Sequence, residues 1–410
     1  MIETKSLLQR KEMALSALLE ITQAINNNIA EEFLYRIYNF TLRGNLSISR
    51  MALWVNDFGS WSCKTHIGIK PQVEKPNLDK LLESHIKGVT YLPSSVFSQD
   101  FGEFEWLIPV YHKNNPLAFV FASGVNGADI DADFIQTLTN ILIVAIENKK
   151  LAQKQLEQEV FRKELDIAAK VQQRLFPKNL PNTHRLQISA FYSPHSSVGG
   201  DYYDFVQLSK DEILFCIADV SGKGIAAAMM MANFQASLRT IVRQTKNLKE
   251  IVSELNFLVM QNAQGENFIT FFVAIYDFSS NILRYINAGH NPPLLLRQHH
   301  IQYLEQGTTV LGIFEPLPFI VEAQMILNED FLIFAYTDGL TETINPDEEQ
   351  FGEKRVSKCL QTYSFTNLDN LHQQIIAEIN AFRKNIPFQD DITLLSCKII
   401  QNPSKNPQSS

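Results

Sequence analysis

Glu212-Ile213-Leu214-Phe215-Cys216-Ile217-Ala218-Asp219-Val220-Ser221-Gly222-Lys223-Gly224 is an apolar, strand-like run that stops at an aspartate and hands over to a glycine-rich turn. The stretch that follows, Ile225 to Arg243, reads as a helix, so Asp219 sits where a buried strand opens to solvent. The pattern recurs. Phe331-Leu332-Ile333-Phe334-Ala335-Tyr336 leads to Asp338, with Gly339 breaking the run, and Asp390 and Asp391 immediately precede the run Ile392 to Leu395. Asp201 follows Gly199 and Gly200, which let the backbone turn sharply and approach a ligand closely. Ionised carboxylates gathered in a folded core repel one another, and cations held between them relieve that repulsion. Oxygen ligands with no accompanying Cys or His cluster favour magnesium or manganese over zinc.

Taken singly, each signature is weak. A lone Thr-Asp-Gly is usually a turn, and a lone Gly-Gly-Asp is hardly better. Gly199-Gly200-Asp201 also suggests a nucleotide cyclase of the diguanylate type, but Tyr202 and Tyr203 follow where an acidic residue and Phe normally stand, and that reading leaves the downstream aspartates unused. Gly222-Lys223-Gly224 lacks the spaced upstream Gly and the Ser/Thr after Lys that a phosphate loop requires. Met229-Met230-Met231 is expected to pack in the core of its helix. None of the nine histidines belongs to an HExxH pair. His290, in Ala288-Gly289-His290-Asn291-Pro292-Pro293, is a candidate to touch substrate, although bracing a loop is the commoner role for such a residue.

Taken in order, Val198-Gly199-Gly200-Asp201-Tyr202-Tyr203-Asp204-Phe205, Ala218-Asp219-Val220-Ser221-Gly222-Lys223-Gly224, Asn287-Ala288-Gly289-His290-Asn291-Pro292-Pro293, Tyr336-Thr337-Asp338-Gly339 and Asp390-Asp391-Ile392-Thr393 resemble the motifs of the SpoIIE/RsbU branch of the type 2C metal-dependent protein phosphatases. The resemblance covers about residues 160 to 400. It implies an α+β fold, an α-β-β-α sandwich with two Mn²⁺ or Mg²⁺ ions at one edge of the paired sheets. By motif matching, Asp201, Asp219, Asp338 and Asp390 take the metal-ligand and catalytic roles, the Val220 carbonyl is a further ligand, and Asp391 is a ligand or supporting residue beside Asp390. The implied chemistry is phosphomonoester hydrolysis, in which paired cations lower the pKa of a water and neutralise phosphoryl charge. Ser221 stands where the eukaryotic enzymes carry a His, and Ser196 about where they carry a phosphate-binding Arg. Lys223 or His195 is then the candidate for phosphate grip. The resemblance also implies a phosphoserine or phosphothreonine protein as substrate, of the STAS-type anti-sigma-factor antagonist class. A metal-binding scaffold without turnover is the competing expectation.

The composition agrees with this reading. The 410 residues leave room for two or three domains, and 45% hydrophobic residues supply ample core. A net charge of -8 argues against nucleic acid as partner. Cys63, Cys216, Cys359 and Cys397 form no paired motif, and Cys216 and Cys397 lie in strand-like runs, so all read as reduced residues of a cytoplasmic protein. No segment has the length and apolarity of a membrane span or signal peptide.

Residues 1 to 150 read as a separate unit: helices at Glu3 to Ile25 and Ala30 to Leu42, strands near Ser49 to Val55, Trp61 to Ile67, Phe104 to Tyr111 and Pro116 to Ala122, and a helix from Ala132 onward. Helices bracketing a sheet in this order look like a GAF-type sensor domain of α/β character. Trp54, Trp61 and Phe104 are candidates for a ligand pocket or, more commonly, for core. The closing helix runs without a breaker from Asp133 to Phe176, where Pro177 stops it. Phe161, Leu165, Ala168 and Leu175, with Gln172 among them, predict the seam of a parallel two-stranded coiled coil and hence a homodimer. The predicted domains are thus a sensor at 1–150, a helical linker at 151–177, a phosphatase domain at 178–400 and a disordered polar tail at 401–410.

Overall fold

At the N-terminus two helices, a set of strands and a long helix follow in the predicted order, with a short helix at Leu78–Glu83 and a short strand at Thr90–Tyr91 beyond those predicted. The computed structural model describes residues 2–46, 48–57, 59–69, 78–83, 86, 88–95, 101, 104–112, 115–125, 130–263, 266–298, 300–363 and 367–401. The predicted tail therefore lies outside the described residues except for Gln401. The chain divides into two compact units, Met1–Glu159 and Val160–Ser410.

The first unit holds α1 (Ile2–Asn26), α2 (Glu31–Asn45), β1 (Ile48–Asp57), β2 (Ser60–Ile67), α3 (Leu78–Glu83), β3 (Thr90–Tyr91), β4 (Trp106–His112), β5 (Asn115–Gly124) and the start of α4 (Ala132–Gln173). Its strands form one antiparallel sheet in the order β2-β1-β5-β4-β3. Period-2 alternation gives the sheet two apolar faces. Met51, Leu53, Val55, Val120 and Ala122 pack on Ile21, Leu34, Tyr38, Leu42, Leu138 and Leu142 of the three long helices. A hydrogen bond of 2.6 Å between the Tyr38 and Thr139 hydroxyls pins α2 to α4. On the other face Leu107, Phe119 and Phe121 meet Leu81, Leu92 and Phe101, and Trp54, Trp61 and Phe104 pack against that cluster. These aromatics are core side chains, as their burial habit favours. Cys63 is exposed, whereas the other three cysteines are buried.

The second unit is built from β6 (Leu186–Ser193), β7 (Tyr202–Gln207), β8 (Glu212–Val220), α5 (Ile225–Ile241), α6 (Leu248–Ala263), β9 (Ile269–Asp277), β10 (Ile282–Ala288), β11 (Leu294–Arg297), β12 (His300–Tyr303), β13 (Gly307–Thr308), β14 (Ala323–Ile326), β15 (Phe331–Tyr336), α7 (Asp338–Glu342), α8 (Gly352–Tyr363), α9 (Leu368–Arg383) and β16 (Ile392–Ile399). One sheet runs β13-β10-β9-β8-β7 with β14 on β10; the other runs β12-β11-β15-β16-β6. The run that opens with Glu212 shows why they stack. Ile213, Phe215 and Ile217 point into the space between the sheets, against Ile333, Ala335, Leu395 and Cys397. Leu214, Cys216 and Ala218 point the other way, under Met231, Phe234 and Leu238 of α5 and Leu255 of α6. On the far side of the second sheet, Leu332, Phe334 and Leu394 are covered by Val356, Leu360, Leu371 and Ile375 of α8 and α9. The layers are α-β-β-α. Of the three methionines in α5 only Met231 is fully buried, while Met229 is 70% exposed, because a helix turns just one stripe of its surface inward.

The predicted helix end at Phe176 is corrected by three residues: α4 stops at Gln173, and the chain turns so that Phe176 is buried beside Tyr192 and Tyr203. Of the stripe predicted as a coiled-coil seam, Phe161 is exposed, whereas the lower end turns inward. Leu175 packs on the α5–α6 core and Gln172 is 6% exposed, so the lower half of that stripe is spent within its own unit. Leu151, Leu156, Val160, Phe161, Ile167 and Val171 are the exposed large apolar residues of the predicted linker. No helix of the described residues is long and apolar enough to cross a membrane.

A buried ion pair ties β7 to α5. Asp204, 0% exposed, accepts from Arg239 Nε at 2.7 Å and Nη2 at 2.9 Å, and from the Tyr202 hydroxyl and the Phe205 amide. Arg239 is half-exposed and can rehydrate, whereas Asp204 cannot. Arg239→Met, which strands a buried carboxylate, is therefore expected to cost about 3–5 kcal/mol in urea unfolding, and Asp204→Asn less. The reverse order would show that the carboxylate does not depend on the arginine.

Candidate active site

The strand register brings the acidic signatures to one edge of the two sheets. In the first sheet Tyr202 pairs with Ala218, so Asp201 and Asp219 lie side by side just beyond that pair, and Asp219 is opposite Thr270 of β9. In the second sheet Tyr336 pairs with Leu394, and the Thr337 amide donates to the Thr393 carbonyl at 3.1 Å, placing Asp338 and Asp390-Asp391 at the same end.

Asp201 is the link between the sheets. It is 1% exposed, and its Oδ2 accepts from the Thr337 hydroxyl at 2.8 Å and the Thr393 hydroxyl at 2.5 Å, both from the opposite sheet. Burial and the neighbouring Asp219 carboxylate push its pKa well above the usual carboxylate range, against the pull of the two threonines. Burial together with the charges of Asp338, Asp390 and Asp391 pushes Asp219 up to about 8, partly offset by a hydrogen bond with Asp201. Asp338 is raised to about 6 by burial, Glu342 and Asp390. Negative charge accumulates here faster than protein donors neutralise it.

Asp390 and Asp391 differ sharply in what they touch. Asp391 accepts from the His195 amide at 2.7 Å on Oδ1 and the Gly200 amide at 2.8 Å on Oδ2. Its pKa is nevertheless raised, because burial outweighs those donors. Asp390 receives the Asp391 amide at 2.8 Å on Oδ1 and the Lys223 ammonium at 2.7 Å on Oδ2. Lys223 is 55% exposed and also donates to the Gln389 carbonyl at 2.5 Å, and its pKa is raised by the bond to Asp390.

Glycines make these approaches possible. A Cβ on Gly199 would strike the Asp391 carboxylate, and one on Gly200 would come 2.8 Å from the Val220 carbonyl oxygen. Gly339 likewise lies against the Asp391 carbonyl. Gly200 thus leaves the Val220 oxygen uncovered beside Asp201.

Among the described residues no three His, Cys, Asp or Glu side chains are drawn tightly enough around one point to hold an ion. The donor chemistry nonetheless fits hard divalent cations: carboxylates and an uncovered carbonyl, with raised acid pKa values that an added positive charge would reverse.

The sequence makes His290 a candidate to touch substrate or, more commonly, to brace a loop. It is 4% exposed, its Nδ1 shares a 2.8 Å hydrogen bond with the Thr270 hydroxyl, and burial lowers its pKa to about 3. Desolvation removes it from the surface a substrate can reach. The His195 ring binds the Phe388 carbonyl, the Ser196 hydroxyl donates to the Val198 carbonyl, and the Ser221 hydroxyl accepts the Phe268 amide.

Sequence reasoning missed four participants. Thr337 and Thr393 lie inside the quoted motifs, and a hydroxyl beside each aspartate pair was the available signal. Gln172 was read as a polar residue in a helix seam; its amide instead donates to the Gly199 carbonyl at 2.6 Å and accepts from the Gly199 amide at 3.2 Å. Thr270 carried no local signal.

With this geometry in view, the comparisons with known proteins fall into place. The model of the stage II sporulation protein E (SpoIIE) family matches residues 209–400. Phosphoserine phosphatase RsbU of Bacillus subtilis is 33% identical over 243 residues, covering 58% of this chain and 71% of that protein. Protein IcfG of Synechocystis is 31% identical over 280 residues, 60% of this chain, but the match spans only 43% of IcfG's length. Among solved structures, the SiaA-PP2C domain of Pseudomonas aeruginosa aligns with a TM-score of 0.53 at 19% identity, over 58% of this chain and 97% of that domain, a likeness of fold. The chain belongs to the SpoIIE/RsbU family of PP2C-type phosphatases.

Asp219 generates a pH-dependent expectation for the metal-free protein. A folded-state pKa of about 8 against an ordinary value of 3.8 means the folded protein holds the proton more tightly. Stability is then greatest below the unfolded pKa and falls as pH rises between the two values. In EDTA the melting temperature should drop from pH 5 to pH 8, and Asp219→Asn should flatten that slope and raise the pH 8 value by about 2–4 °C. An unchanged slope in the variant would remove Asp219 as the source of strain.

Proposed function

We propose that this chain is a signalling phosphatase that hydrolyses phosphoserine or phosphothreonine on a protein, with two Mn²⁺ or Mg²⁺ ions held by Asp201, Asp219, the Val220 carbonyl, Asp338 and Asp390. The observation that carries the reading is the gathering of these groups from both sheets at one edge, where protein donors leave their charge largely uncompensated. Bound divalent ions supply an activated water near neutral pH and offset phosphoryl charge. The chain's own groups do the rest. Thr337 and Thr393 hold Oδ2 of Asp201 in place. Asp391, with both oxygens engaged by the amides of His195 and Gly200, braces the turn that carries Asp201. Lys223 is exposed and mobile enough to exchange Asp390 for a phosphoryl oxygen.

The substrate we propose is a phosphorylated STAS-type anti-sigma-factor antagonist, by extension from the family. The N-terminal unit, a sheet ordered β2-β1-β5-β4-β3 between helices, supports a GAF-like sensor. The exposed apolar residues Leu156, Val160, Phe161, Ile167 and Val171 of α4 support a homodimer through that helix.

The experiment is release of phosphate from a phosphoserine peptide with and without Mn²⁺. Activity should require the metal, and Asp219→Asn or Asp338→Asn should lower it by at least about 100-fold. Asp390→Asn and Asp391→Asn should separate. The first should weaken Mn²⁺ binding with little change in melting temperature; the second should lower both, because two backbone amides lose a charged acceptor. Metal-independent turnover in the wild type would refute the assignment.

A further inference from the structure

His290 is buried and titratable, yet no catalytic step uses it. Its backbone is gripped twice by Asn287, which accepts from the His290 amide at 2.7 Å and donates to its carbonyl at 3.0 Å. Gly289, at φ +65°, makes the turn; a side chain there would collide with Val310. So held, the imidazole has one direction. Its Nδ1 bonds Thr270 on β9, the residue directly opposite Asp219 in the first sheet. Its Nε2 has no hydrogen-bond partner among the described residues. The adjoining Asn291 amide reaches the Thr341 hydroxyl of α7, the helix that begins at Asp338, at 3.4 Å.

We infer that His290 is a positioning residue: its ring holds Thr270, opposite Asp219, while the same turn reaches α7 through Asn291, and the two contacts together set the spacing between Asp219 and Asp338, and with it the affinity for the cations. This rests on the proposed metal-dependent function. A metal held between two sheets is sensitive to small changes in sheet separation, since divalent cations tolerate only narrow ligand distances. A rigid neutral ring suits the task, because it fixes distance without adding charge to an already crowded site. Loss of such supporting contacts lowers metal affinity by about 10- to 100-fold in other metal sites.

The test is calorimetric titration of Mn²⁺ into the full chain, alongside thermal melts in EDTA, for wild type, Thr270→Val, His290→Leu, the double variant and His290→Asn. Thr270→Val keeps its shape and removes the shared hydroxyl, so it carries the test even if His290→Leu does not fold. Each single change should weaken Mn²⁺ binding about tenfold, and the double variant should be no weaker than the worse single one, because one shared contact is lost once. His290→Asn, which keeps an amide near the Nδ1 position, should restore most of the affinity. Unchanged Mn²⁺ affinity in Thr270→Val, or additive losses in the double variant, overturns the inference while leaving the phosphatase reading intact. A wild-type chain that binds no Mn²⁺ overturns both.

Discussion

The clamp on Asp201 is the interaction on which the C-terminal unit turns. A carboxylate this deeply buried is costly unless its charge is matched, and two threonine hydroxyls on the opposite sheet offset part of that cost. Those hydroxyls exist at that point because Thr337 and Thr393 face each other across β15 and β16, where Thr337 Oγ1 also accepts the Thr393 amide at 2.9 Å. The two sheets are thereby registered by polar contacts at one edge and by the apolar sandwich elsewhere. Packing alone would tolerate sliding between sheets; hydrogen bonds at 2.5 to 2.8 Å do not.

Around that clamp the backbone does much of the ordering. The turn at Gly199-Gly200 is held from two directions, by Gln172 at the end of α4 and by Asp391 before β16. The hold by Asp391 depends on a missing side chain, since a Cβ at Gly199 would displace its carboxylate. Asp204 and Arg239 add a third restraint, tying the strand that follows Asp201 to the helix that follows Asp219. The site is therefore stiff where its carboxylates are rooted and open where Asp390 and Lys223 meet solvent. Stiffness of this kind is what a site must possess if like charges are to be kept close without a counter-ion.

Much of this was legible in the sequence. Strands that end on aspartates, glycines that permit close approach, and apolar alternation on β8 and β15 are local properties, carried by side chains at period two and by turn chemistry. They marked Asp201, Asp219, Asp338 and the Asp390-Asp391 pair as carboxylates at strand ends, while the α-β-β-α layering was implied by the family resemblance of the ordered motifs. The order of elements in the N-terminal unit was equally plain, because amphipathic helices and β-branched runs declare themselves within a few residues.

What the sequence could not decide is which atoms meet. Thr337 and Thr393 lie 136 and 192 positions from Asp201, and Asp391 lies 191 from Gly200, separations over which no periodicity survives. Adjacent aspartates at 390 and 391 read alike in one dimension. Only the fold turns one toward backbone amides and the other toward Lys223 and solvent, because consecutive residues entering a strand point in opposite directions. The same reason governs His290, Gln172 and the α4 stripe: local pattern says that a side chain must be satisfied, and tertiary packing chooses the partner.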